Sequence, residues 1–153
     1  NKYSTNKKEV PCFSLNTFLE GRRYPNFIKM DVEGHEVKIF EGGLDYFSKN
    51  KGHTNILLEV HPNAYDKDND FEKILREYFK IGFNSNWVVA TPIPQPMLFK
   101  TAGYEPVLSI RTDGFYRGIY NNISNDHLAK FACHQHYDSG SRKIVRSFMI
   151  TRD

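Results

Sequence analysis

The sequence predicts an α/β domain built on a mostly parallel sheet with helices on both faces. Two short apolar runs, residues 27–30 and 56–60, are nearly continuous, which is typical of strands covered on both faces. Each run is followed by a segment with the apolar spacing of a helix. Strand, helix, strand, helix with short polar connections is the βαβ pattern, whose crossover is right-handed almost without exception.

Composition and charge restrict the class of protein. The chain has 153 residues, of which 39% are hydrophobic and 25% charged, which fits one domain over residues 1–153 with a flexible segment at 1–9. The net charge of +3 comes from dispersed Lys and Arg, so no nucleic-acid partner is expected. No apolar run approaches the ~20 residues of a membrane span. Cys12 and Cys133 are expected to be free thiols, which favours a reducing, cytoplasmic location.

Turn residues and apolar spacing define the other elements. Asn69 with Glu72 resembles a helix cap, whereas Gly42-Gly43 is expected to break or bend an earlier helix. Ser124 or Asp126 is expected to cap the last helix. The predicted strands cover residues 10–15, 27–30, 56–60, 87–90, 104–110, 115–120 and 143–151; the predicted helices cover 16–20, 34–47, 71–79 and 124–136, and residues 91–96 form a proline-rich loop.

Four side chains follow the two key strands where their carboxyl ends should meet. Asp31 and Glu33 come after the first strand, and Glu59 and His61 end the second. Neighbouring parallel strands lie ~4.8 Å apart, and residues i and i+2 share a face, so the four are expected to crowd one rim. Such crowding raises a carboxyl pKa or recruits a cation, and either outcome suits general-base or metal chemistry. In the alternative interpretation, Glu33 only caps a helix and His61 bonds to a backbone carbonyl.

The residues around this rim form a recognisable pattern, which consists of the stretches Ile28-Lys29-Met30-Asp31-Val32-Glu33-Gly34-His35-Glu36, then Gly42, then Leu58-Glu59-Val60-His61. They resemble the I-K-x-D-V-E-G-x-E … G … E-x-H pattern of FkbM-family methyltransferases. Residues 14–19 are similar to the family's T-L-D-x-L/F-L segment, with Asn16 where the family usually has Asp. The resemblance covers roughly residues 10–83.

The resemblance implies a Rossmann-like class I methyltransferase fold. Enzymes of this family take a methyl group from S-adenosylmethionine and typically place it on a hydroxyl of a sugar or small metabolite, here a small-molecule or glycan acceptor. In that interpretation Asp31, Glu33, Glu59 and His61 line the acceptor side of the site. His61 is the preferred base, because an imidazole titrates near neutrality. Asp31 is the second choice, as base or orienting group, and is also the one candidate cofactor contact.

One departure from the family concerns the cofactor. Class I methyltransferases bind it through a glycine-rich turn, and this chain contains no Gly-x-Gly. Because the acidic motif belongs to the middle of the family's fold, we expect a partial fold, the C-terminal half, which is truncated or completed by a missing N-terminal half on another polypeptide. Alone, it should bind S-adenosylmethionine poorly. The alternatives are a non-catalytic, partner-binding α/β module and, third, a metal-dependent hydrolase using Asp31, Glu59 and His61.

Two other parts of the sequence resemble metal sites, but the sequence assigns no metal. Residues 66–70 with Glu77 place acidic groups as in a calcium loop, but Phe71 stands where the sharp turn demands Gly. A second group is formed by Cys133, His134 and His136, whose spacing matches no common zinc pattern. A helix-capping loop and a helix end with exposed histidines are the simpler interpretations.

Overall fold

The structure is a computed structural model that describes residues 8–91, 95–133 and 143–153. Helices and strands alternate through most of these residues. In chain order the elements are α1 (Leu15–Leu19), β1 (Phe27–Met30), α2 (Glu36–Lys49), β2 (Thr54–Glu59), a 3-10 helix (Pro62–Ala64), α3 (Phe71–Lys80), β3 (Asn84–Ala90), α4 (Gln95–Thr101), β4 (Leu108–Thr112), β5 (Phe115–Asn121), α5 (Asn125–Cys133) and β6 (Val145–Arg152).

The strands form one mixed sheet in the order β1-β2-β6-β3-β5-β4. β1 and β2 are parallel, whereas each of the other neighbouring pairs is antiparallel. The prediction of a mostly parallel sheet is therefore wrong. The physical reason is that β6, the last strand, inserts antiparallel between β2 and β3, and an apolar closing strand carries no signal of its direction.

Helices α2, α3 and α5 pack on the same face of the sheet, which differs from the predicted distribution of helices over both faces. α3 contacts both α2 and α5, and α5 contacts β3 and β6. On β2, Ile56 and Leu58 are buried, whereas Leu57 on the opposite face is only half-buried. The crossovers from β1 to β2 and from β2 to β3 both move in the same direction along the sheet. Right-handed connections therefore place α2 and α3 on the same face.

Aromatic rings fill the space between α2, α3 and the sheet. The ring of Tyr78 lies 4.5 Å from that of Phe40 and 5.9 Å from that of Phe47, centroid to centroid. Its hydroxyl donates to the carbonyl oxygen of Phe40 at 3.0 Å, which satisfies the polar atom inside the core. Burial raises the pKa of Tyr78 above its ordinary value, so this side chain stays a neutral donor.

α2 runs continuously through Gly42-Gly43, so the predicted break is absent. A Cβ atom at position 43 would lie 2.8 Å from both Leu15 Cδ2 and Tyr78 Oη. Glycine therefore lets α1 and α3 approach α2 closely, and this packing offsets its low helix propensity.

The predicted first strand, residues 10–15, is absent from the described residues. The chain enters α1 instead, with Ser14 as its cap: Oγ accepts a hydrogen bond from the Thr17 N–H at 3.1 Å. Asn16 then joins α1 to α2, because its Oδ1 accepts a hydrogen bond from the backbone N–H of Tyr46 at 3.0 Å. The position that departs from the family pattern therefore holds two helices together.

The acidic loop before α3 bonds to its own backbone. The helix cap is Asp70 rather than the predicted Asn69, because Asp70 Oδ1 accepts from the Lys73 N–H at 2.9 Å. Asp66 Oδ1 accepts from the N–H groups of Asp68 and Asn69, each at 2.8 Å. These bonds support the helix-capping interpretation of the loop.

One element near the proline-rich segment, helix α4, differs from expectation. Helix α4 begins at Gln95 and carries Pro96 in its first turn, where a missing N–H costs nothing. In the sequence the prolines indicate a loop, although proline is compatible with the start of a helix. Residues 92–94 of the predicted loop lie outside the described residues. The hairpin β4–β5 turns at Asp113 and Gly114, whose φ values of +53° and +82° fit a type I′ turn.

Near the end of the chain, Ser124 caps α5, since its Oγ accepts from the His127 N–H at 3.2 Å. The remainder of that predicted helix, residues 134–136, lies outside the described residues, as do residues 1–7.

Both cysteines are free thiols: Cys12 is exposed and Cys133 is buried, and burial raises the pKa of the Cys133 thiol. In the described ranges, no helix combines the length and apolar character that crossing a membrane requires.

Candidate active site

The ends of β1 and β2 lie side by side because the two strands are parallel neighbours. Met30 pairs with Leu58, so the loop after β1 meets the residues that follow β2. This loop turns sharply at Glu33 and Gly34, whose φ values are +50° and +98°. A positive φ at a non-glycine residue is strained, and such strain is concentrated at functional sites in proteins.

A buried carboxylate holds the imidazole of His61. Glu36 is the first residue of α2 and is completely buried, and its Oε1 lies 2.5 Å from His61 Nδ1. The same oxygen accepts the Gly34 N–H at 3.2 Å, while Oε2 is buried with no hydrogen-bond partner among the described residues. Because a buried carboxylate requires donors, we assign the proton to Nδ1, which leaves the lone pair of Nε2 free.

Tyr65 fixes the backbone of His61. Its hydroxyl oxygen accepts the His61 N–H at 3.2 Å, and its ring lies 5.0 Å from that of Phe71. Burial raises the pKa of Tyr65 well above its ordinary value; the His61 N–H lowers it, and the charge of Glu36 raises it. The phenol is therefore neutral, and His61 is held both at its ring and at its backbone.

Three of the four predicted site residues come together at Nε2. One ligand atom each from Asp31, Glu33 and His61 lies within 4.8 Å of the others. His61 Nε2 is 3.4 Å from Glu33 Oε2, and the imidazole is 20% exposed while the Glu33 side chain is 85% exposed. Asp31 also lies 3.7 Å from Lys29 Nζ in an exposed pair of the kind that is worth little.

Glu59 does not join this cluster. It belongs to β2, where it faces the side of the sheet opposite Leu58. Its Oε1 lies 3.3 Å from Lys143 Nζ and 4.0 Å from Arg146 Nε. The parallel register was correct, but β2 ends at Glu59 and the backbone at His61 is no longer extended, so Glu59 and His61 do not share a face as two residues of one strand would.

A cleft of about 360 Å³ opens in front of His61 and is lined by Glu33, Val60, His61, Pro62, Asn63, Ala64 and Lys143. A larger cleft of about 670 Å³ lies between α1 and α2 and is mostly apolar. Its one imidazole, His35, has Nδ1 3.2 Å from the carbonyl oxygen of Val32. The smaller cleft therefore combines open space with an imidazole and the carboxylate of Glu33.

This arrangement suits proton transfer. A carboxylate behind Nδ1 holds the ring and stabilises the imidazolium that forms when Nε2 accepts a proton, as in Asp–His pairs of hydrolases. Sequence reasoning missed the roles of Glu36 and Tyr65. A signal for Glu36 was present: it lies four residues before Phe40 and so continues the buried stripe of α2, where an acidic residue needs a partner.

Gly34 is required at the base of the site, and Gly34→Ala is expected to reduce the free energy of unfolding by about 2–4 kcal/mol. A Cβ there would lie 2.5 Å from Ala64 Cβ, and φ is +98°. Gly103 is the matched control, since its φ is +86° but nothing lies within 4 Å of its Cβ position. Gly103→Ala should therefore cost only the backbone strain, about 1–2 kcal/mol.

Urea unfolding measures both losses, and adding Ala64→Gly to Gly34→Ala should recover the part due to the clash. Equal losses for Gly34→Ala and Gly103→Ala, with no recovery in the double variant, would contradict the close approach of the two loops.

Comparison with known proteins identifies the chain at the level of a family. The family model described as "Methyltransferase FkbM domain" matches residues 2–85, which is more than half of the chain. No curated protein and no solved structure matches. The match includes β1, β2 and the cluster at His61, and it confirms the resemblance of the motif: the chain belongs to the FkbM methyltransferase family.

Proposed function

We propose that this chain supplies the acceptor side of an S-adenosylmethionine-dependent O-methyltransferase that acts on a hydroxyl of a sugar or small metabolite. Membership of the family supports methyl transfer in general. The observation that carries the proposal is His61, whose Nδ1 lies 2.5 Å from the buried Glu36 while Nε2 faces a cleft. A hydroxyl must lose its proton to become a methyl ether, and this site offers a group that can take it.

In the proposed reaction His61 is the base. The acceptor hydroxyl lies in the cleft and donates to Nε2, which takes the proton as the oxygen becomes nucleophilic. Glu36 stabilises the resulting imidazolium, because its negative charge lies against Nδ1 in a buried position. Tyr65 and Glu36 together hold the imidazole ring in place. The ring is therefore already oriented when the proton is transferred, and little entropy is lost in that step.

Asp31 and Glu33 are proposed to orient the acceptor. Their exposed carboxylates can accept hydrogen bonds from neighbouring hydroxyls, as a sugar would present, and Asp31 is the alternative base. Glu59 is proposed as a positioning residue, since its pair with Lys143 holds that side chain at the wall of the cleft.

The residues that the structure describes do not form a cofactor site by themselves. S-adenosylmethionine supplies an electrophilic methyl group, and its usual cradle is a glycine turn after a strand. Gly34 follows β1, but the space beside it is filled by Ala64, at 2.5 Å from a Cβ built at position 34. We therefore place the cofactor on protein that completes the site, such as an N-terminal half, with Asp31 as the nearest contact from this chain.

The test is methyl transfer by the complete enzyme that contains this chain, with isotope-labelled S-adenosylmethionine and a panel of hydroxylated sugars and metabolites. The expected product carries a labelled methyl ether, and S-adenosylhomocysteine forms in equal amount. Residues 1–153 alone are expected to show no micromolar cofactor binding by calorimetry. If the complete enzyme methylates none of the hydroxyl acceptors in the panel, the proposal is contradicted and a non-catalytic binding module is favoured.

A further inference from the structure

The cluster in front of His61 also has the composition of a metal site. Two carboxylates and one imidazole place single ligand atoms within 4.8 Å of one another. We propose that Asp31, Glu33 and His61 bind one divalent transition-metal ion, with Glu36 as the residue that orients His61. The sequence assigned no metal, although its third alternative, a metal-dependent hydrolase, shares Asp31 and His61 with this site and used Glu59 in place of Glu33.

The distances fit a small cation. Metal–ligand bonds of about 2.0–2.2 Å in a tetrahedral site place neighbouring ligand atoms about 3.4 Å apart. His61 Nε2 and Glu33 Oε2 are already 3.4 Å apart. Glu33 and Asp31 have side chains that are 85% and 40% exposed, so rotation about their side-chain bonds can bring the third ligand atom to the same distance.

The buried carboxylate behind His61 supports the role of this imidazole as a ligand. Glu36 has no solvent exposure, Oε1 lies 2.5 Å from His61 Nδ1, and Oε2 has no hydrogen-bond partner among the described residues. Histidines that ligate metals usually donate a hydrogen bond from their other ring N–H to such a carboxylate, which fixes the ring and raises its basicity. Orientation of the imidazole by a buried carboxylate has a purpose when the imidazole binds a ligand.

The ligand types narrow the choice of ion. Imidazole nitrogen suits Zn²⁺ and other transition metals, and carboxylate oxygen suits Mn²⁺ and Mg²⁺. A mixed set of one nitrogen and two oxygens is therefore best matched by Zn²⁺ or Mn²⁺. Three protein ligands leave at least one coordination position open toward the cleft, which is the arrangement of catalytic rather than structural sites.

Nearby cations do not neutralise the cluster. Lys29 Nζ lies 3.7 Å from Asp31 Oδ2, but both side chains are exposed, so a bound ion can displace it. Lys143 lines the same cleft and is paired with Glu59 at 3.3 Å.

Metal binding would change one step of the proposed function. This consequence rests on the proposed function, whereas the metal site itself does not. A bound ion occupies Nε2, so His61 acts as a ligand, and the ion lowers the pKa of a hydroxyl that occupies its open position. The proton then leaves to water instead of to the imidazole. The binding of the ion itself can be measured without cofactor, acceptor or turnover.

The experiment titrates the 153-residue chain with Mn²⁺ alone and follows the sharp electron paramagnetic resonance signal of the free ion. One Mn²⁺ is expected to bind per chain, and Zn²⁺ should displace it. His61→Ala and Asp31→Asn should each weaken binding at least ~10-fold, and Glu36→Gln should weaken it ~10–100-fold as a positioning residue. His35→Ala is the matched control, because this exposed imidazole lies outside the cluster, and should bind as the natural chain does.

Circular dichroism establishes that each variant is folded, and Glu33→Gln provides a ligand change on a side chain exposed enough to leave the fold intact. The inference is overturned if the free-ion signal is not reduced, or if His61→Ala and Glu33→Gln bind Mn²⁺ as tightly as the natural chain. A failure of methyl transfer alone would bear on the proposed function and not on this site.

Discussion

The complete enzyme with His61→Ala is expected to transfer methyl groups at least ~100-fold more slowly than the natural sequence, the usual scale for loss of a general base. The variant removes the nitrogen that faces the cleft, and it leaves Glu36 buried with no imidazole donor at Oε1. The measurement is the initial rate of label transfer from S-adenosylmethionine at saturating acceptor.

His35→Ala is the control for this prediction, because His35 lies on the same loop as Glu33 and bonds through Nδ1 to the Val32 carbonyl at 3.2 Å. Its rate should change by less than about twofold, as expected of an exposed surface position. Glu36→Gln should lower kcat more than it alters KM, since Glu36 acts through His61 and does not face the acceptor. An unchanged rate for His61→Ala would remove this residue from the mechanism.

The largest expected effect on stability is at Arg152, where Arg152→Met should reduce the free energy of unfolding by about 3–5 kcal/mol, since each buried carbonyl left without a donor costs about 1–3 kcal/mol. This arginine is 3% exposed and has no carboxylate partner among the described residues. Its guanidinium donates to the carbonyl oxygens of Phe47 at 2.5 Å and Asn50 at 2.7 Å, and to the hydroxyl of Tyr24.

The charge is stabilised by helix ends and aromatic rings. Phe47 and Asn50 belong to the C-terminal turn of α2, where the helix dipole is negative, and the Phe83 ring centroid lies 4.8 Å from the guanidinium carbon. Methionine fills the volume but leaves these buried carbonyls without donors. Because domains of this kind have only about 5–15 kcal/mol of stability, the variant should lose much of it.

Arg111→Met is the matched control, since Arg111 is an exposed strand arginine whose described contact is with the Tyr116 ring, 5.9 Å from its centroid. It should lose at most about 1 kcal/mol. Arg152→Lys should lie between the two, because lysine keeps the charge but cannot donate in several directions at once. Urea unfolding followed by circular dichroism measures all three, and equal losses for Arg152→Met and Arg111→Met would contradict the buried network.

Local pattern was sufficient for the elements that carry the site. The apolar run before Asp31 is β1, from Phe27 to Met30, and the run before His61 lies in β2, because each is short and is bounded by polar residues. Their parallel pairing followed from the crossover through α2. That knowledge placed three of the four candidate residues at one rim.

The features that the sequence pattern did not predict depend on contacts between residues that are distant in sequence. The direction of β6 is decided by its place between β2 and β3, to which residues 145–152 give no local clue. The partnership of Glu36 with His61 joins positions 25 residues apart across two loops. Glu59 was assigned to the rim because its strand ends there, but the face it occupies pairs it with Lys143.

The central claim is that Glu36 fixes His61 with a proton on Nδ1 and a free lone pair on Nε2, and nitrogen-15 NMR of the imidazole tests it most directly. In the folded chain without added metal, the account predicts a pyridine-type shift for Nε2 and a protonated Nδ1 in neutral His61, with the preference lost in Glu36→Ala. A protonated Nε2 with a bare Nδ1, or the same spectrum in Glu36→Ala, would contradict it.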